Sequence, residues 1–152
     1  MRSIAALILI AVGASFLLFS FQSTPNVNFY SYEEGLKVAA KENKPILLII
    51  DSESCVYCTI FKEDFEKYED LKLALSKFVI VEVDYVRERD LAKKFGATGT
   101  PEFHFLYPNG TPITYNGEKL VMLGYSSEYR QDLINLANFA YQIYERSKAQ
   151  KT

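Results

Sequence analysis

Residues 46–61 read ILLIIDSESCVYCTIF, and this stretch contains both cysteines of the chain, Cys55 and Cys58. The apolar run at 46–50 is typical of a β-strand that is buried on both faces of a sheet. From Cys58 onward, apolar side chains recur at helical spacing, which predicts an α-helix. The cysteines therefore lie at a predicted strand-to-helix junction. They could form a redox couple, part of a metal site or a structural disulfide.

The position of Cys55 at the start of a helix favours the redox couple. Free N–H groups and the positive end of the helix dipole stabilise an anion there, and only the thiolate form of cysteine is a nucleophile. Cys58 follows one turn later on the same side of the helix, so a short disulfide can open and close. We expect Cys55 to attack a substrate disulfide and Cys58 to resolve the mixed disulfide.

The two other uses of the cysteine pair remain open at this point. A structural disulfide between them would close a very small loop and stabilise the fold little. A zinc site needs four ligands, and two cysteines with the single histidine, His104, cannot complete one within a chain. His104 is predicted to be a packed or edge histidine of a strand, and no metal or bound cofactor is predicted.

The overall composition predicts one globular domain. The 152 residues are 49% hydrophobic and 24% charged, which suffices for a core without disulfide bonds. The formal net charge is −2, and no run of Lys or Arg occurs. Because proteins that bind nucleic acid usually carry a basic patch, no nucleic-acid partner is predicted.

The first 23 residues differ in kind from the rest of the chain. Residues 4–21 carry no charge and follow a single basic residue, Arg2, which is the pattern of an export signal. No small-residue cleavage site follows, which slightly favours retention as a membrane anchor. We therefore predict a signal peptide or anchor at 1–23 and an exported domain in the periplasm or another extracytoplasmic space, where disulfides persist.

The remainder of the chain alternates predicted helices with buried strands. A linker is predicted at 24–30, and Ser31 with Glu34 forms a predicted capping box before the first helix. Ser126 is predicted to cap the last helix. The alternation predicts an α/β fold with a small mixed sheet. Of the other predicted helices, one ends near 42–43, one begins at 58, and two span 70–77 and 89–95. The other predicted strands lie at 46–50, 78–83, 103–107, 113–115 and 120–123. The last two strands are predicted to pair with each other.

A second motif, Gly99-Thr100-Pro101, precedes the predicted strand at 103–107. A proline at such a position can be cis. The Thr100 backbone would then be exposed and could pair with an extended substrate segment. Val56 and Tyr57, which lie between the cysteines, are expected to face the same substrate.

Together these motifs resemble those of the thioredoxin superfamily over about residues 30–147. The chain is most similar to exported thioredoxin-like reductases of the SoxW type and to the soluble reductase domain of DsbD. The resemblance implies a thioredoxin fold at 31–147, a polar tail at 148–152, a cis Pro101, an attacking Cys55 and a resolving Cys58. It rests on SCVYC (54–58), VIVEVD (79–84), LAKKFGATGTP (91–101), FLYPNGTPI (105–113) and LGYSS (123–127).

The chain departs from that pattern around the cysteines. Ser54 replaces the usual tryptophan, and Ile49 occupies the place of the buried aspartate that assists the resolving cysteine. Glu82 or Asp84 could substitute for that acid, although strand-end acids are usually solvated. Glu53 is expected to raise the pKa of Cys55. A moderately stabilised thiolate favours a reductase or isomerase over an oxidase.

We therefore expect an exported, monomeric thiol–disulfide oxidoreductase that reduces or exchanges disulfides in extracytoplasmic proteins. Its electrons would come from a membrane thiol transporter. The alternatives are a non-catalytic peptide-binding module that uses Thr100 and Pro101, a disulfide-forming oxidase, and a metal chaperone.

Overall fold

The computed structural model describes residues 25–150. The predicted signal peptide or anchor at 1–23, with its apolar helix, lies outside the described residues. None of the helices formed within 25–150 combines the length and apolar character needed to cross a membrane.

Within residues 25–150, five α-helices accompany a five-stranded mixed sheet and a separate small hairpin. The sheet has the order β1-β3-β2-β4-β7, in which β1, β3 and β2 run parallel, β4 runs antiparallel to β2, and β7 runs antiparallel to β4. The hairpin consists of β5 and β6. The bounds are β1 (Phe29–Tyr30), α1 (Tyr32–Glu42), β2 (Ile46–Asp51), α2 (Val56–Lys67), α3 (Glu69–Leu75), β3 (Val79–Asp84), α4 (Arg89–Phe95), β4 (Glu102–Leu106), β5 (Thr114–Tyr115), β6 (Glu118–Lys119), β7 (Val121–Leu123) and α5 (Arg130–Ala149).

The sheet separates two apolar cores, because successive side chains of a strand point to opposite faces. On one face, Leu48 and Val81 pack with Ala39 of α1 and Phe95 of α4. The other face packs against α2, α3 and α5 and is rich in aromatic side chains, namely Phe61, Phe65, Phe78, Phe103 and Phe105. Every residue of β2 is buried, which confirms the prediction of a strand covered on both faces.

Several helix predictions are confirmed at their ends. Helix α4 has the predicted bounds and ends at Gly96, whose φ of 78° is the left-handed conformation that glycine adopts readily. Helix α1 ends at Glu42, as predicted. Its Gly35 allows a close approach to the sheet, since a Cβ atom there would overlap the side chain of Val81.

The predicted pairing of strands 113–115 and 120–123 is correct only at their ends, where the Leu120 N–H donates to the Ile113 carbonyl (2.9 Å). Asn116 and Gly117 both have positive φ, 51° and 84°, and close a tight hairpin in which β5 pairs with β6. Val121–Leu123, strand β7, instead pairs with β4 and extends the main sheet. The residues next to the tight turn, in β5 and β6, pair with each other. The segment that follows them, β7, is therefore free to pair with β4.

Other boundaries and caps also differ from the predictions. The end of the predicted linker at 24–30 forms β1, which pairs with β3, and α5 continues through Ala149 into the predicted tail. The Ser31 hydroxyl donates to the Glu34 carboxylate (2.9 Å) and makes no bond to the helix backbone, so the capping box is wrong in detail. Ser126 precedes a short 3-10 turn and likewise makes no side-chain cap.

Candidate active site

The two cysteines form a disulfide at the junction between β2 and α2. Strand β2 ends at Asp51, and a short turn, closed by a hydrogen bond from the Cys55 N–H to the Ser52 carbonyl (3.0 Å), leads into the helix. Cys55 is the N-cap residue of α2, as predicted. The Cα atoms of Cys55 and Cys58 are 5.2 Å apart, which is within the usual range for a disulfide.

The two sulfur atoms differ in environment. Cys58 is 3% exposed and belongs to the buried core, whereas Cys55 is half-buried. The backbone N–H of Cys58 donates to Cys55 Sγ (3.1 Å). A hydrogen bond of this kind stabilises negative charge on the acceptor sulfur, so the same geometry suits a Cys55 thiolate when the disulfide is open.

Val56 and Tyr57 both lie on the surface beside the disulfide. Val56 is 69% exposed and Tyr57 is 56% exposed. The structure therefore leaves both side chains available for contact with another molecule.

The loop before β4 reaches the same end of the sheet as the disulfide. The Thr100–Pro101 peptide bond is cis, as the resemblance implied. Strand β4 runs antiparallel to β2 with Ile50 opposite Glu102, so Pro101 lies beside the end of β2 that leads to the cysteines. Pro101 itself is buried, and Thr100 is half-buried. The structure thus brings the two predicted motifs together.

A charged cluster lies one helical turn beyond Cys58. Lys62 Nζ is 2.7 Å from Asp51 Oδ2 and 2.6 Å from Glu82 Oε1. Burial raises the pKa of Glu82, and the neighbouring Asp51 carboxyl raises it further, against the opposing effect of Lys62. Burial tends to lower the pKa of Lys62, but its hydrogen bond to Asp51 and its ion pair with Glu82 outweigh burial and raise it.

The structure distinguishes between the two acids that were considered as substitutes for a buried aspartate. Asp84 accepts hydrogen bonds from the N–H groups of Val86 (2.8 Å) and Arg87 (2.7 Å) and stabilises an exposed turn. The hydrogen bond from Arg87 is the main cause that lowers the pKa of Asp84. Glu82 instead contacts Lys62 in the charged cluster, and its pKa is shifted in the opposite direction.

Lys62 and Asp51 were not predicted to belong to the site. The available signal was the spacing of four residues between Cys58 and Lys62, which puts both on one side of α2. Asp51 closes a strand that is otherwise apolar, and its side chain is only 11% exposed. A buried carboxylate needs a partner, and a lysine at that spacing could have been proposed as one.

Glu53 does not act alone beside Cys55. Its carboxylate is 2.7 Å from Arg87 Nη2, although both side chains are largely exposed. Such an exposed pair contributes little to stability, but it places a positive charge, that of Arg87, directly beside the Glu53 carboxylate. The pair borders a groove of about 390 Å³ lined by Ser52, Glu53, Ser54, Asp84, Val86 and Arg87.

His104 lies far from the cysteines in the middle of the sheet. It is 4% exposed and sits opposite Leu48 in β4, a strand flanked by β2 and β7. The prediction of a packed histidine is confirmed, and that of an edge histidine is wrong. Its Nε2 is 3.0 Å from Glu102 Oε2. In the part of the chain that the structure describes, no three His, Cys, Asp or Glu residues are grouped to hold a metal ion.

Comparisons with solved structures identify the fold. The chain superimposes on a thioredoxin from Thermus thermophilus with a TM-score of 0.56 and 22% identity, covering 74% of this chain and 88% of the thioredoxin. It superimposes on DsbH oxidoreductase with a TM-score of 0.56 and 20% identity, covering 76% of this chain and 87% of DsbH.

Sequence relatives cover shorter segments. Anterior gradient protein 3 of Mus musculus is 40% identical over 52 residues, which are 34% of this chain and 32% of that protein. An uncharacterized protein of Archaeoglobus fulgidus is 33% identical over 88 residues, which are 57% of this chain and 65% of that protein. The chain thus spans about a third of the first relative and just under two thirds of the second.

The family assignment rests on a longer match. The thioredoxin-like domain family matches residues 32–119, which include both cysteines, the cis proline and the strands that position them. The chain therefore belongs to the thioredoxin-like domain family, with a thioredoxin fold and a Cys-x-x-Cys disulfide at the start of α2.

Proposed function

We propose that this protein is an exported enzyme that reduces or exchanges disulfides in extracytoplasmic proteins, with Cys55 as the attacking and Cys58 as the resolving thiol. The observation that carries the proposal is the asymmetry of the couple. Cys55 is half-buried at the start of a twelve-residue helix, and Cys58 is buried beneath it. An incoming disulfide therefore meets Cys55 first.

The reaction transfers two electrons to the substrate. The Cys55 thiolate attacks one sulfur of the substrate disulfide, which forms a mixed disulfide and releases the other substrate sulfur as a thiolate. Cys58 then loses its proton and attacks Cys55 Sγ, which releases the second substrate thiolate. The Cys55–Cys58 disulfide forms as the substrate disulfide is reduced.

The environment of Cys55 favours reduction over oxidation. Its thiolate is stabilised by the Cys58 N–H and by the start of α2, while the nearby cation, Arg87, is already paired with Glu53. A strong oxidant owes its potential to a highly stabilised reduced form. The modest stabilisation at Cys55 is more consistent with an enzyme that donates electrons.

Glu82 is our candidate for the group that accepts the Cys58 proton. Its register partner Ile49 belongs to the core that α2 covers, so Glu82 points to the same face as the buried Cys58. Its raised pKa suits proton transfer near neutral pH better than an ordinary glutamate would. The Lys62 ammonium group, 2.6 Å from Oε1, pairs with its carboxylate.

The proposed partners follow from the cysteine content. Both cysteines of the chain belong to this couple, so a thiol of another molecule must reduce the disulfide after each turnover. We propose a membrane thiol transporter of the kind that serves exported reductases such as the SoxW and DsbD types. Residues 1–23 would export the domain and, if retained, hold it near that donor, and the enzyme would act as a monomer.

The reduction potential of the couple tests this proposal directly. The full chain, kept in detergent micelles, is equilibrated with glutathione or dithiothreitol buffers, and the fraction of oxidised Cys55–Cys58 is measured. A value close to the −270 mV of thioredoxin is expected for a reductase. A value close to the −120 mV of DsbA would reverse the direction to disulfide formation. The absence of a reversible couple would favour the peptide-binding module.

A further inference from the structure

A buried glutamate directly follows the cis proline. Glu102 is 2% exposed, and its neighbours in β4 are aromatic. Glutamate is almost never fully buried unless it is paired, because removing a carboxylate from water is costly. An apolar side chain would fill a core position at lower cost, so the contacts of Glu102 need an explanation other than core packing.

The Glu102 carboxylate is fully occupied by hydrogen bonds. Oε1 accepts from the Thr98 N–H (2.8 Å), the Thr98 hydroxyl (2.9 Å) and the Gly99 N–H (3.0 Å). His104 Nε2 is 3.0 Å from Oε2, and this nitrogen can donate to a carboxylate only when it carries the proton. Hydrogen bonds to an ionised acceptor are about twice as strong as neutral ones.

The charge states of the pair agree with this network. Burial favours the neutral acid at Glu102, but the bonds from Thr98, His104 and Gly99 outweigh burial and hold its pKa below the ordinary value. Burial lowers the pKa of His104, so its imidazole is neutral at pH 7. Neutral His104 can therefore orient the charged carboxylate without introducing a second buried charge.

The network lies on the opposite face of the sheet from the disulfide. Phe103 and Phe105 point to the core beneath α2, so Glu102 and His104 point to the other core, where the Phe95 ring is 5.9 Å from that of His104. Glu102 therefore contacts neither cysteine. Its partners Thr98 and Gly99 are the two residues directly before Thr100, in the loop that reaches the disulfide end of the sheet.

We propose that Glu102 is a positioning residue for substrate binding, whose buried carboxylate holds the loop at Thr98 and Gly99 and so presents Thr100 to an extended polypeptide. His104 holds the other carboxylate oxygen, Oε2, through its Nε2 atom. A second anchor, the bond from the Gly124 N–H to the Pro101 carbonyl (2.8 Å), holds the other side of the loop. This inference rests on the proposed function, and it adds a residue that acts on polypeptide binding and not on the exchange chemistry.

The test separates KM from kcat in the full-length protein. Glu102→Met keeps the length of the side chain but removes every acceptor, so the N–H groups of Thr98 and Gly99 lose their partner. We expect KM for insulin to rise about tenfold, with kcat changed much less, because the loss of charge-assisted hydrogen bonds falls on binding. A small aromatic disulfide, which has no backbone to pair with Thr100, should show no such rise.

Three further variants separate positioning from general stability. Glu102→Gln keeps Oε1 and should restore most of the affinity for insulin. Thr98→Val removes one of the three donors and should give an intermediate KM, so the proposal stays testable if Glu102→Met does not fold. Asp64→Asn disturbs another buried acid, which accepts from the Tyr125 hydroxyl (2.9 Å), and should lower the melting temperature without raising KM.

Amide hydrogen exchange provides a readout that does not depend on turnover. The Thr98 and Gly99 amides should exchange slowly in the wild type and much faster in Glu102→Met, while the amides of β2 remain protected. Unchanged exchange at these two amides, or an equal KM rise for insulin and the small disulfide, would overturn the inference. A wild type that reduces neither substrate would refute the proposed function, and the exchange data would then decide separately whether Glu102 holds the loop.

Discussion

Glu82 lies beside Ile49 on the neighbouring parallel strand, and both side chains face the core beneath α2. Ile49 occupies the position at which related proteins carry the buried acid that assists the resolving cysteine. Lys62 contacts Glu82 from α2, one turn beyond Cys58 (2.6 Å). In the mechanism that we propose, Glu82 takes the place of that acid, and the carboxylate under α2 comes from β3 and not from β2.

The first prediction concerns this proposed role of Glu82. Glu82→Gln should slow the resolution of the mixed disulfide by about tenfold or more, because a positioned proton acceptor typically contributes at least that much. The rate of substrate release is measured in a single turnover by rapid acid quench. In the wild type this rate should rise with pH as Glu82 loses its proton, at a pH above the ordinary glutamate range since its pKa is raised.

Asp84→Asn is the matched control for Glu82→Gln, since Asp84 lies two residues further along the same strand in an exposed turn. It should leave the resolution step and its pH dependence unchanged. Equal slowing in both variants would mean that the effect reflects the net charge of β3 and not a proton acceptor at Glu82.

The second prediction concerns the cysteines themselves. Cys55→Ser should abolish insulin reduction, because the remaining sulfur is buried. Cys58→Ser should form a mixed disulfide with the substrate that accumulates, since no resolving thiol remains. Both outcomes are read by mass spectrometry of the acid-quenched protein. The adjacent Ser54→Ala should behave as the wild type, and full activity in either cysteine variant would exclude the proposed mechanism.

The third prediction tests the core beneath the sheet with two leucines of the same helix. Leu71 is fully buried, whereas Leu73 is 48% exposed. Leu71→Ala should lower the free energy of unfolding by about 2–5 kcal/mol, because it removes buried methyl groups and leaves a cavity. Leu73→Ala should change it by no more than about 0.5 kcal/mol. Urea titration followed by circular dichroism measures both, and similar losses would contradict the packing of α3.

The fourth prediction uses the only histidine of the chain. Burial lowers the pKa of His104 from its ordinary value of 6.5, so the unfolded chain binds a proton more readily than the folded one. The free energy of unfolding should therefore fall as the pH drops below 6.5. His104→Gln, which can still donate to Glu102, should remove this part of the pH dependence. Identical profiles between pH 8 and pH 5.5 would show that His104 does not titrate on unfolding.

Local patterns in the sequence predicted the parts of the fold that depend on neighbouring residues. The run at 46–50 and the cysteines that follow predicted strand β2 and the start of α2, because burial and helix onset are visible in consecutive residues. Gly96 marked the end of α4 for the same reason. The cis Pro101 required the resemblance to known proteins in addition to the Gly-Thr-Pro motif.

The errors arose where distant residues decide the outcome. Val121–Leu123 is apolar enough to pair with either neighbour, and only the register with β4 selects its partner. Glu102 looks like an ordinary strand acid, because nothing nearby in the sequence shows that Thr98 and Gly99 fold back onto its carboxylate. Lys62 and Glu82 are twenty residues apart, and parallel pairing with β2 brings them together.

The half-buried position of Cys55 also has a consequence for the proposed turnover with an electron donor and a substrate. With a single accessible cysteine sulfur, the electron donor and the substrate must occupy the same face of the protein and cannot be bound there together. Turnover must then proceed by alternation, with each partner leaving before the next arrives. An excess of either partner should therefore inhibit the reaction, because it competes with the other partner for the same face.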